Sequence, residues 1–454
     1  MARNRGLALA IGLTAAISGQ QALAACEAPP LDGPAAWLPV TPFPELGEPA
    51  PHPASDCPFY EAAWQTFLHV AQPDAAGDPA FLGYPRIETL FEPVGPAPDP
   101  AADPFGADLA SGVQQAGMGG ILIDRNGAPV YYAMHFNDRF ADFVAQNGLR
   151  TREGILAADP DLSFDAPGIV ELKSGWRVLD AADDRSAFFW KEVDVPMLRA
   201  TEAGIEIDPS GATHRVTVGL VALHVVFTMV GHPEFVWATF EHVDRAKQPD
   251  GGPTATHNPE DTPEDFVAHP DRSFPFYRAG SEARHSNLNG LSDPAEMAHA
   301  FDERTQTFTA NGGLRTPVFR EYPASKVSTT EVDEAILELY ASLWGQFAAL
   351  DPGGRDPRGH YALVGATWLD RPDRDFAVGR YFINGPGETS DTGPVAGEDA
   401  LSNLMMESFT QTVFPNCLSC HDTREVYSTQ GGEIVAAKNI NVSHAFSHYL
   451  SGGR

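Results

Sequence analysis

The stretch HRVTVGLVALHVVFTM at 214–229 decides the fold, and FVWATFEHVD at 235–244 follows it after a break that contains glycine and proline. β-Branched and aromatic residues favour strands, whereas glycine and proline interrupt them. Comparable apolar runs precede these two at 119–136, 168–179 and 186–195. The block 118–245 is therefore predicted to form a mostly antiparallel sheet.

The first of these runs contains a turn signal of its own. Asn126 and Gly127 separate two apolar stretches, which is typical of a tight β-hairpin. Strands and helices do not alternate regularly along the chain, so a parallel doubly wound sheet is not expected. The predicted fold class is α+β. It has a mostly antiparallel β-sheet core, peripheral helices and long loops, and a C-terminal helix and tail that carry the motif described below.

Four segments divide the 454 residues. They are a signal peptide at 1–25, a Pro-rich N-terminal segment with one docking helix at 26–117, a β-rich domain with long polar loops at 118–330, and a C-terminal helical and β region at 331–454. The chain has 42 glycines and 39 prolines, which is typical of a protein with many loops and turns.

Three helices are predicted around the sheet. The segment 60–71 repeats apolar residues at helical spacing and is expected to dock on the core. The segment 328–350 has one apolar face, and Ser328 with Glu331 fits a capping box at its start. In the C-terminal region, two strands are predicted at 361–369 and 378–384. A further helix at 397–414 is predicted to lead into the last two cysteines.

The first 25 residues have the organisation of an export signal. Two arginines precede the apolar run GLALAIGLTAAI, which is too short to span a bilayer, and ALA at 22–24 fits a signal-peptidase site. LAAC at 23–26 also fits a lipobox, in which Cys26 would carry a lipid; alternatively, Cys26 pairs with Cys57 in a disulfide. No later stretch is apolar enough for a transmembrane helix. We expect a periplasmic or secreted protein, anchored to a membrane only if Cys26 is lipidated.

The stretch FPNCLSCHDT at 414–423 holds the other two cysteines. Cys417, Cys420 and the adjacent His421 form C-x-x-C-H, the attachment signature of c-type haem. Two thiols one helical turn apart can bond the two vinyl groups of one porphyrin, and the histidine can bind iron as the proximal ligand. A zinc site would need a second Cys/His pair, and a thioredoxin-like motif would need a βαβ context. One covalent haem c is expected.

The second axial ligand of the iron is open. No methionine follows Met406, so the compact carrier fold with a downstream methionine ligand does not fit, and the body of the protein is expected to enclose the haem. The candidates are His444, Met406, Met405, His448 and the strand-block residues His135, His224 and His242. A vacant or water-occupied position is the remaining alternative. Two strong ligands give an iron that only passes electrons, whereas an open position permits ligand binding.

Four polar residues interrupt otherwise apolar strands: Glu171, Lys173, Glu241 and His242. An unpaired charge is costly in such a place. One interpretation is that they form buried ion pairs or cap the sheet. The other is that they line the haem cavity and act there as a distal acid or base.

The chain carries a formal net charge of −31. A surface of that sign repels the phosphate backbone, which excludes a nucleic-acid-binding role. It would favour a basic redox partner protein.

Five stretches carry a resemblance to a known family: AWQTFLHVAQP (63–73), NGAPVYYAMHFN (126–137), VELKSGWRVL (170–179), GLVALHVVFT with FVWATFEHVD (219–244), and LSNLMMESFTQ with CLSCH (401–421). They resemble exported bacterial cytochrome c family proteins with a single C-terminal C-x-x-C-H haem motif. The resemblance extends over most of the mature chain and implies export and haem binding.

These features predict an exported mono-haem c-type protein with an electron-transfer or redox role. A haem enzyme of peroxidase or oxygenase type is the main alternative, supported by the length of the chain around a single haem motif. A gas- or ligand-binding haem sensor is the third.

Overall fold

The computed structural model of the protein describes most of the chain. The described residues are 26–32, 37–38, 56–92, 113, 116–117, 120–202, 204–243, 271, 274–282, 299–310, 326–328, 331–332, 334–390, 392–411, 413–427 and 434–451. The predicted signal peptide and most of the polar segment 246–330 therefore lie outside the described residues.

The strands of the described part number fifteen. They are β1 Tyr131–Phe136, β2 Val170–Val178, β3 Trp190–Pro196, β4 Leu198–Thr201, β5 Gly204–Ile207, β6 Thr213–Met229, β7 His232–His242, β8 His299–Asp302, β9 Thr307–Ala310, β10 Lys326–Ser328, β11 Glu331–Val332, β12 Tyr361–Leu369, β13 Val395–Gly397, β14 Val426–Tyr427 and β15 Ile434–Val435. Seven of them form one sheet in the order β1-β2-β6-β7-β12-β13, and β3 pairs with the first half of β6. All of these pairs are antiparallel, which confirms the predicted sheet and the α+β class.

The sheet is not confined to the predicted β-rich block. Strands β12 and β13 come from the C-terminal region and extend the sheet beyond β7. The predicted turn at Asn126 and Gly127 is present. Gly127 has a φ of +85°, and the Asp124 carboxylate accepts bonds from the backbone of Asn126 and Ala128. Only an isolated bridge joins the flanking residues, Ile123 and Pro129, because proline has no N–H for a regular ladder.

The helices are α1 Cys57–Val70, α2 Ile87–Leu90, α3 Asp138–Gln146, α4 Arg152–Ala157, α5 Glu334–Leu350, α6 Pro372–Asp375 and α7 His444–Leu450. Helix α1 confirms the docking helix predicted over 60–71. Helix α5 begins at Glu334, so the predicted start at Ser328 is wrong: β10 and β11 pair with each other there, and their backbone groups are used in that ladder.

Two further C-terminal predictions are wrong. The described residues of the segment 397–414 follow the end of β13 at Gly397 as a series of turns, because the segment bonds to the sheet: Leu404 N–H donates to the carboxylate of Glu241 on β7. These tertiary bonds override the helical spacing of its apolar residues. The segment 378–384 is irregular, because the N–H groups of Gly379 and Arg380 donate to the backbone and hydroxyl oxygens of Thr423.

The strand alternation gives the sheet two faces with different coverings. On the first face, Leu172, Val225 and Ala238 belong to the apolar core that includes α1 and α5. On the second face, their sequence neighbours Glu171, Val226 and Trp237 lie in register on β2, β6 and β7. The C-terminal chain covers this second face, since Trp237 and Val226 pack in one apolar cluster with residues of α7.

The N-terminal residues are fixed to the first-face core. Cys26 and Cys57 form a disulfide with their Cα atoms 5.7 Å apart. The Cys26 N–H donates to Glu338 and the Leu31 N–H to Gln346, both on α5. Of the two roles predicted for Cys26, the structure contains the disulfide. Within the described residues, no helix has both the length and the apolarity needed to span a membrane.

Candidate functional site

A cavity of about 330 Å³ lies on the second face of the sheet. The sheet contributes Met134 of β1, Glu171 and Lys173 of β2, His224 and Val226 of β6, and Trp237 of β7. These side chains form two adjacent rows across the strands, because Met134, Lys173 and His224 are register partners, as are Glu171, Val226 and Trp237. The floor of the cavity is therefore partly charged and partly apolar.

The C-terminal chain forms the opposite wall of the cavity. It contributes Glu407, His421, Val426, Ser447 and Ser451 together with His444 and His448 of α7. The fold thus brings together six residues that were predicted to bind iron or to act as an acid or base and that lie far apart in the chain: Glu171, Lys173, His224, His421, His444 and His448.

The C-x-x-C-H motif forms a tight turn at the edge of this cavity. Residues Cys417–Ser419 are a short 3₁₀ helix, and the side chain of Asn416 caps it by accepting the Ser419 N–H. The His421 N–H then donates to the Cys417 carbonyl oxygen at 2.9 Å. Both cysteines are free thiols, Cys417 half-buried and Cys420 exposed. The predicted C-terminal helix does not carry the motif; the turn does.

His421 has a fixed orientation. Its Nδ1–H donates to the backbone oxygen of Val442 at 3.0 Å, and its ring packs against the ring of Trp237 with centroids 4.0 Å apart. Burial lowers the pKa of His421 well below its usual range, and nearby His444 lowers it further. The imidazole is therefore neutral, and the bond to Val442 leaves Nε2 as its metal-binding atom.

His444 lies beside His421. The two rings stack with centroids 3.9 Å apart and planes inclined at 23°. Burial lowers the pKa of His444 to about 4, and a hydrogen bond to the backbone of Cys420 acts in the opposite direction. With its ring stacked on that of His421, His444 would have to leave His421 to serve as the second iron ligand.

The methionine candidates lie outside the cavity lining. Met405 and Met406 are fully buried on the second face in an apolar cluster with Tyr132 and Leu404. Their sulfur atoms pack there as parts of the core.

Of the strand-block histidines, only His224 reaches the cavity. His135 is on the first face, where its ring contacts Phe81. His242 stacks on Phe188 at 3.8 Å, and its Nε2 bonds to the Ala187 carbonyl oxygen. Strand alternation determines on which face of the sheet each of these rings lies. The sequence shows this alternation, but it does not show which face the motif covers.

Glu171 is a buried carboxyl group that joins the sheet to the C-terminal chain. Its side chain is 5% exposed, and its Oε2 accepts the hydroxyl of Ser443 at 2.6 Å. Burial raises the pKa of Glu171 to about 7, although the bonds and charges of Ser443 and Lys173 act to lower it. Burial also lowers the pKa of Lys173, while Glu407 and Glu171 act to raise it.

His224 and Glu407 form the second polar group of the cavity. His224 Nε2 lies 3.0 Å from a Glu407 carboxylate oxygen, and its Nδ1 lies 3.0 Å from the Thr239 hydroxyl. The Asn403 side chain donates to the same hydroxyl, and the Asn403 backbone N–H donates to the Glu407 carboxylate. Burial acts to raise the pKa of Glu407, but His224 and Lys173 outweigh it, so the net shift is downward.

The four interrupting polar residues of the strands separate into two pairs. Glu171 and Lys173 line the cavity, as the acid-base interpretation predicts for them. Glu241 and His242 do not. Glu241 is fully buried and accepts the Leu404 N–H at 3.0 Å.

Several residues of the site were not predicted from the sequence. Glu407 follows Met406 in a segment predicted as a helix, where an acidic residue reads as solvated. Ser443 and Trp237 carry no motif, and Val442 contributes only its backbone oxygen. Strand alternation could have placed Trp237 on the same face of β7 as Thr239 and Glu241, because every second residue of a strand faces the same side.

The residues present fit a covalently held haem. Two free thiols lie on one turn, the adjacent histidine is neutral with its Nδ1 bonded, and a cavity with Trp237, Met134 and Val226 in its walls opens beside it. A metal-binding histidine commonly donates its other ring N–H to a backbone oxygen in this way.

No protein-family model, curated protein or solved structure matches this chain.

Proposed function

We propose that the protein is an exported mono-haem c-type protein with an electron-transfer or redox role. One observation carries the proposal. His421 directly follows two free thiols and has its Nδ1–H bonded to Val442, which leaves Nε2 available beside the cavity.

Cys417 and Cys420 would hold the haem through thioether bonds, and His421 would be the proximal ligand. The iron of a bound haem carries one electron, or binds a small ligand if its second axial position is open. The residues of the chain would hold the haem and enclose it. The bond from His421 to Val442 fixes the ring and increases the basicity of its Nε2. The sheet floor and α7 would flank the group from two sides.

An oxidising compartment is supported by the Cys26–Cys57 disulfide, and the sequence of the first 25 residues favours export to the periplasm. The sulfur of Cys26 is used in that disulfide, so a thioether-linked lipid on the same atom is disfavoured. The net charge of −31 would steer a basic redox partner.

A haem enzyme is the second candidate, and the cavity favours it over a gas sensor. Glu171, whose pKa is about 7, lies on the cavity floor next to Lys173, and the His224–Glu407 pair lies nearby. A carboxyl group with such a pKa can give or take a proton at neutral pH. A protein that only passes electrons does not need an acid or base there.

The test is the visible spectrum of the purified, exported protein, oxidised and reduced, with and without carbon monoxide. A pyridine haemochrome of the same sample measures haem attachment. We expect one covalent haem, and its loss in the double variant Cys417→Ala and Cys420→Ala. The variant Cys26→Ala with Cys57→Ala is the matched control, because it removes the other two cysteines and should keep the haem.

The spectrum also separates the two candidates. A low-spin spectrum that carbon monoxide leaves unchanged supports electron transfer. A high-spin spectrum that shifts with carbon monoxide supports the enzyme, and peroxide is then the first substrate to try. A wild-type protein without haemochrome would sink both.

A further inference from the structure

Glu171 and His421 contact the same short segment of the C-terminal chain. The Ser443 hydroxyl donates to the Glu171 carboxyl at 2.6 Å, and the Val442 carbonyl oxygen accepts the His421 Nδ1–H at 3.0 Å. Val442 and Ser443 are adjacent in the chain. The Glu171 carboxyl is therefore connected to His421 through Ser443 and Val442, by two hydrogen bonds.

The segment that makes both contacts is firmly held. Asn439–Val442 is a 3₁₀ helix of four buried residues, and the Ser443 N–H donates to the Ile440 carbonyl oxygen at 3.1 Å. The side chain of Asn441 donates to two backbone oxygens, those of Arg424 and Ala436. A change at Glu171 is therefore transmitted to a fixed peptide rather than absorbed by a loop.

Glu171 shares the cavity with other titratable groups, which decide whether it can act as a separate proton-binding site. Lys173 is on its own strand, two residues away. The groups that line the same cavity from other elements are His224 of β6, Glu407 of the turn before the motif, His421 of the motif, and His444 and His448 of α7, with the exposed thiol of Cys420 near Lys173.

Most of these groups are already committed to one state. Glu407 is ionised and bonded to His224, and burial lowers the pKa of His421, His444 and His448 so that these three are neutral at pH 7. Glu171 differs from them, since burial places its pKa at about 7. It is the carboxyl of the cavity lining that is poised to change its protonation near neutral pH.

We propose that Glu171 is a redox-linked proton site: it takes up a proton when the haem site is reduced and releases it on oxidation. This rests on the proposed function, because it requires haem bound at Cys417, Cys420 and His421. The electron comes from a one-electron reductant protein. The proton comes from solvent through the cavity, whose lining includes Ser447, His448 and Ser451.

The step balances in charge. One electron adds one negative charge to the cavity, and one proton converts the Glu171 carboxylate to the carboxylic acid. An added negative charge favours the neutral form of a nearby carboxyl, so its pKa is higher in the reduced protein. Between the two pKa values the midpoint potential therefore falls as pH rises.

The experiment is a spectroelectrochemical titration of the holoprotein from pH 5 to pH 9. We expect a sigmoidal fall in midpoint potential centred near neutral pH. A tenfold higher proton affinity in the reduced protein corresponds to a total change of 59 mV for a one-electron couple. We expect Glu171→Gln to lose this fall. Its infrared difference spectrum should also lose a carboxylic-acid band that appears on reduction of the wild type.

Two further variants keep the proposal falsifiable. Ser443→Ala removes the bond that lowers the pKa of Glu171, so the fall in potential should move to higher pH. His214→Gln removes a titratable histidine of β6 that lies outside the cavity lining, and it should leave the fall unchanged.

A pH-independent potential in the wild type would overturn the proposal, as would a fall that persists in Glu171→Gln or one that disappears in His214→Gln. If Glu171→Gln does not fold, an unshifted titration in Ser443→Ala overturns it instead. All of these outcomes require a normal haemochrome. A missing haemochrome in the wild type refutes the proposed function first, so the two failures are distinguishable.

Discussion

The two faces of the central sheet use the same strands for different purposes. On β7, Phe240 faces α1 and stacks on Phe67 with ring centroids 4.4 Å apart, whereas its neighbours Thr239 and Glu241 face the C-terminal chain and bond to it. On β2, Leu172 belongs to the apolar core, whereas Glu171 lines the cavity. Neighbouring residues of one strand therefore have different roles, one in the apolar core and one on the side of the cavity.

The difference is one of energetic cost. The first face is closed by aromatic and aliphatic packing, which stabilises the fold wherever it is buried. The second face buries Glu171, Lys173 and Glu407, and burying ionisable groups costs free energy unless they are well paired. Three such groups around one cavity point to a use for the second face. The following predictions test that contrast.

The largest effect is expected on the first face. Phe67→Ala removes a fully buried ring that contacts Phe240, Trp64 and Tyr361, and should lower the free energy of unfolding by about 4 kcal/mol. Urea unfolding of the holoprotein measures it. Leu337→Ala on α5 is the control: its side chain is 48% exposed, so we expect a change within about 0.5 kcal/mol. Equal losses in both variants would contradict the assigned core.

The disulfide should come next. Replacing both Cys26 and Cys57 by serine frees the ends of a loop that spans 31 residues, which should lower the free energy of unfolding by about 3 kcal/mol. The haem spectrum should not change, because the disulfide lies on the first-face side. A thiol reductant should destabilise the wild type to the same extent and the double variant not at all. A reductant effect on the double variant would contradict this assignment.

On the second face, Glu171→Gln should change how stability depends on pH. The pKa of Glu171 in the folded protein is about 7, above the ordinary value of 4.5. Its contribution is therefore complete at acid pH and is lost as pH rises through 7, by about 3 kcal/mol in all. Unfolding by urea at pH 5 and pH 8 should show wild-type stability falling relative to the variant.

Glu407→Gln is the matched control, and the sign should reverse. The net shift of the Glu407 pKa is downward, so its contribution is present at neutral pH and is lost as pH falls. This variant should be less stable than the wild type at pH 7, and the difference should shrink in acid. Two variants with the same sign would show that the cavity charges are not organised as described.

The smallest effect is expected for a second-face residue that packs as core. Met406→Leu nearly conserves volume in the apolar cluster around Tyr132 and should cost less than about 1.5 kcal/mol. Its haem spectrum should match the wild type, because Met406 does not line the cavity. A change from low spin to high spin in this variant alone would show that Met406 binds the iron and that the C-terminal chain rearranges around the haem.

Local sequence patterns predicted much of the fold because the relevant forces act within a few residues. The run of valines at 214–229 became β6, and the helical spacing at 60–71 became α1. The segment 397–414 failed for a reason that no local pattern contains. Its polar groups found partners on β7, more than 150 residues earlier in the chain, and those bonds outweighed its helical spacing.

The sequence by itself determined most strands of the sheet and the class of fold, and it predicts a haem-attachment role for Cys417, Cys420 and His421, since each of these depends on residue types at short, fixed spacing. Only the tertiary structure decided what surrounds His421. It selected Glu171 and Lys173 over Glu241 and His242, placed His444 face to face with His421, and added Glu407, Trp237 and the backbone oxygen of Val442. These partners come from separate strands and turns, and the register of the sheet and the path of the C-terminal chain set their distances.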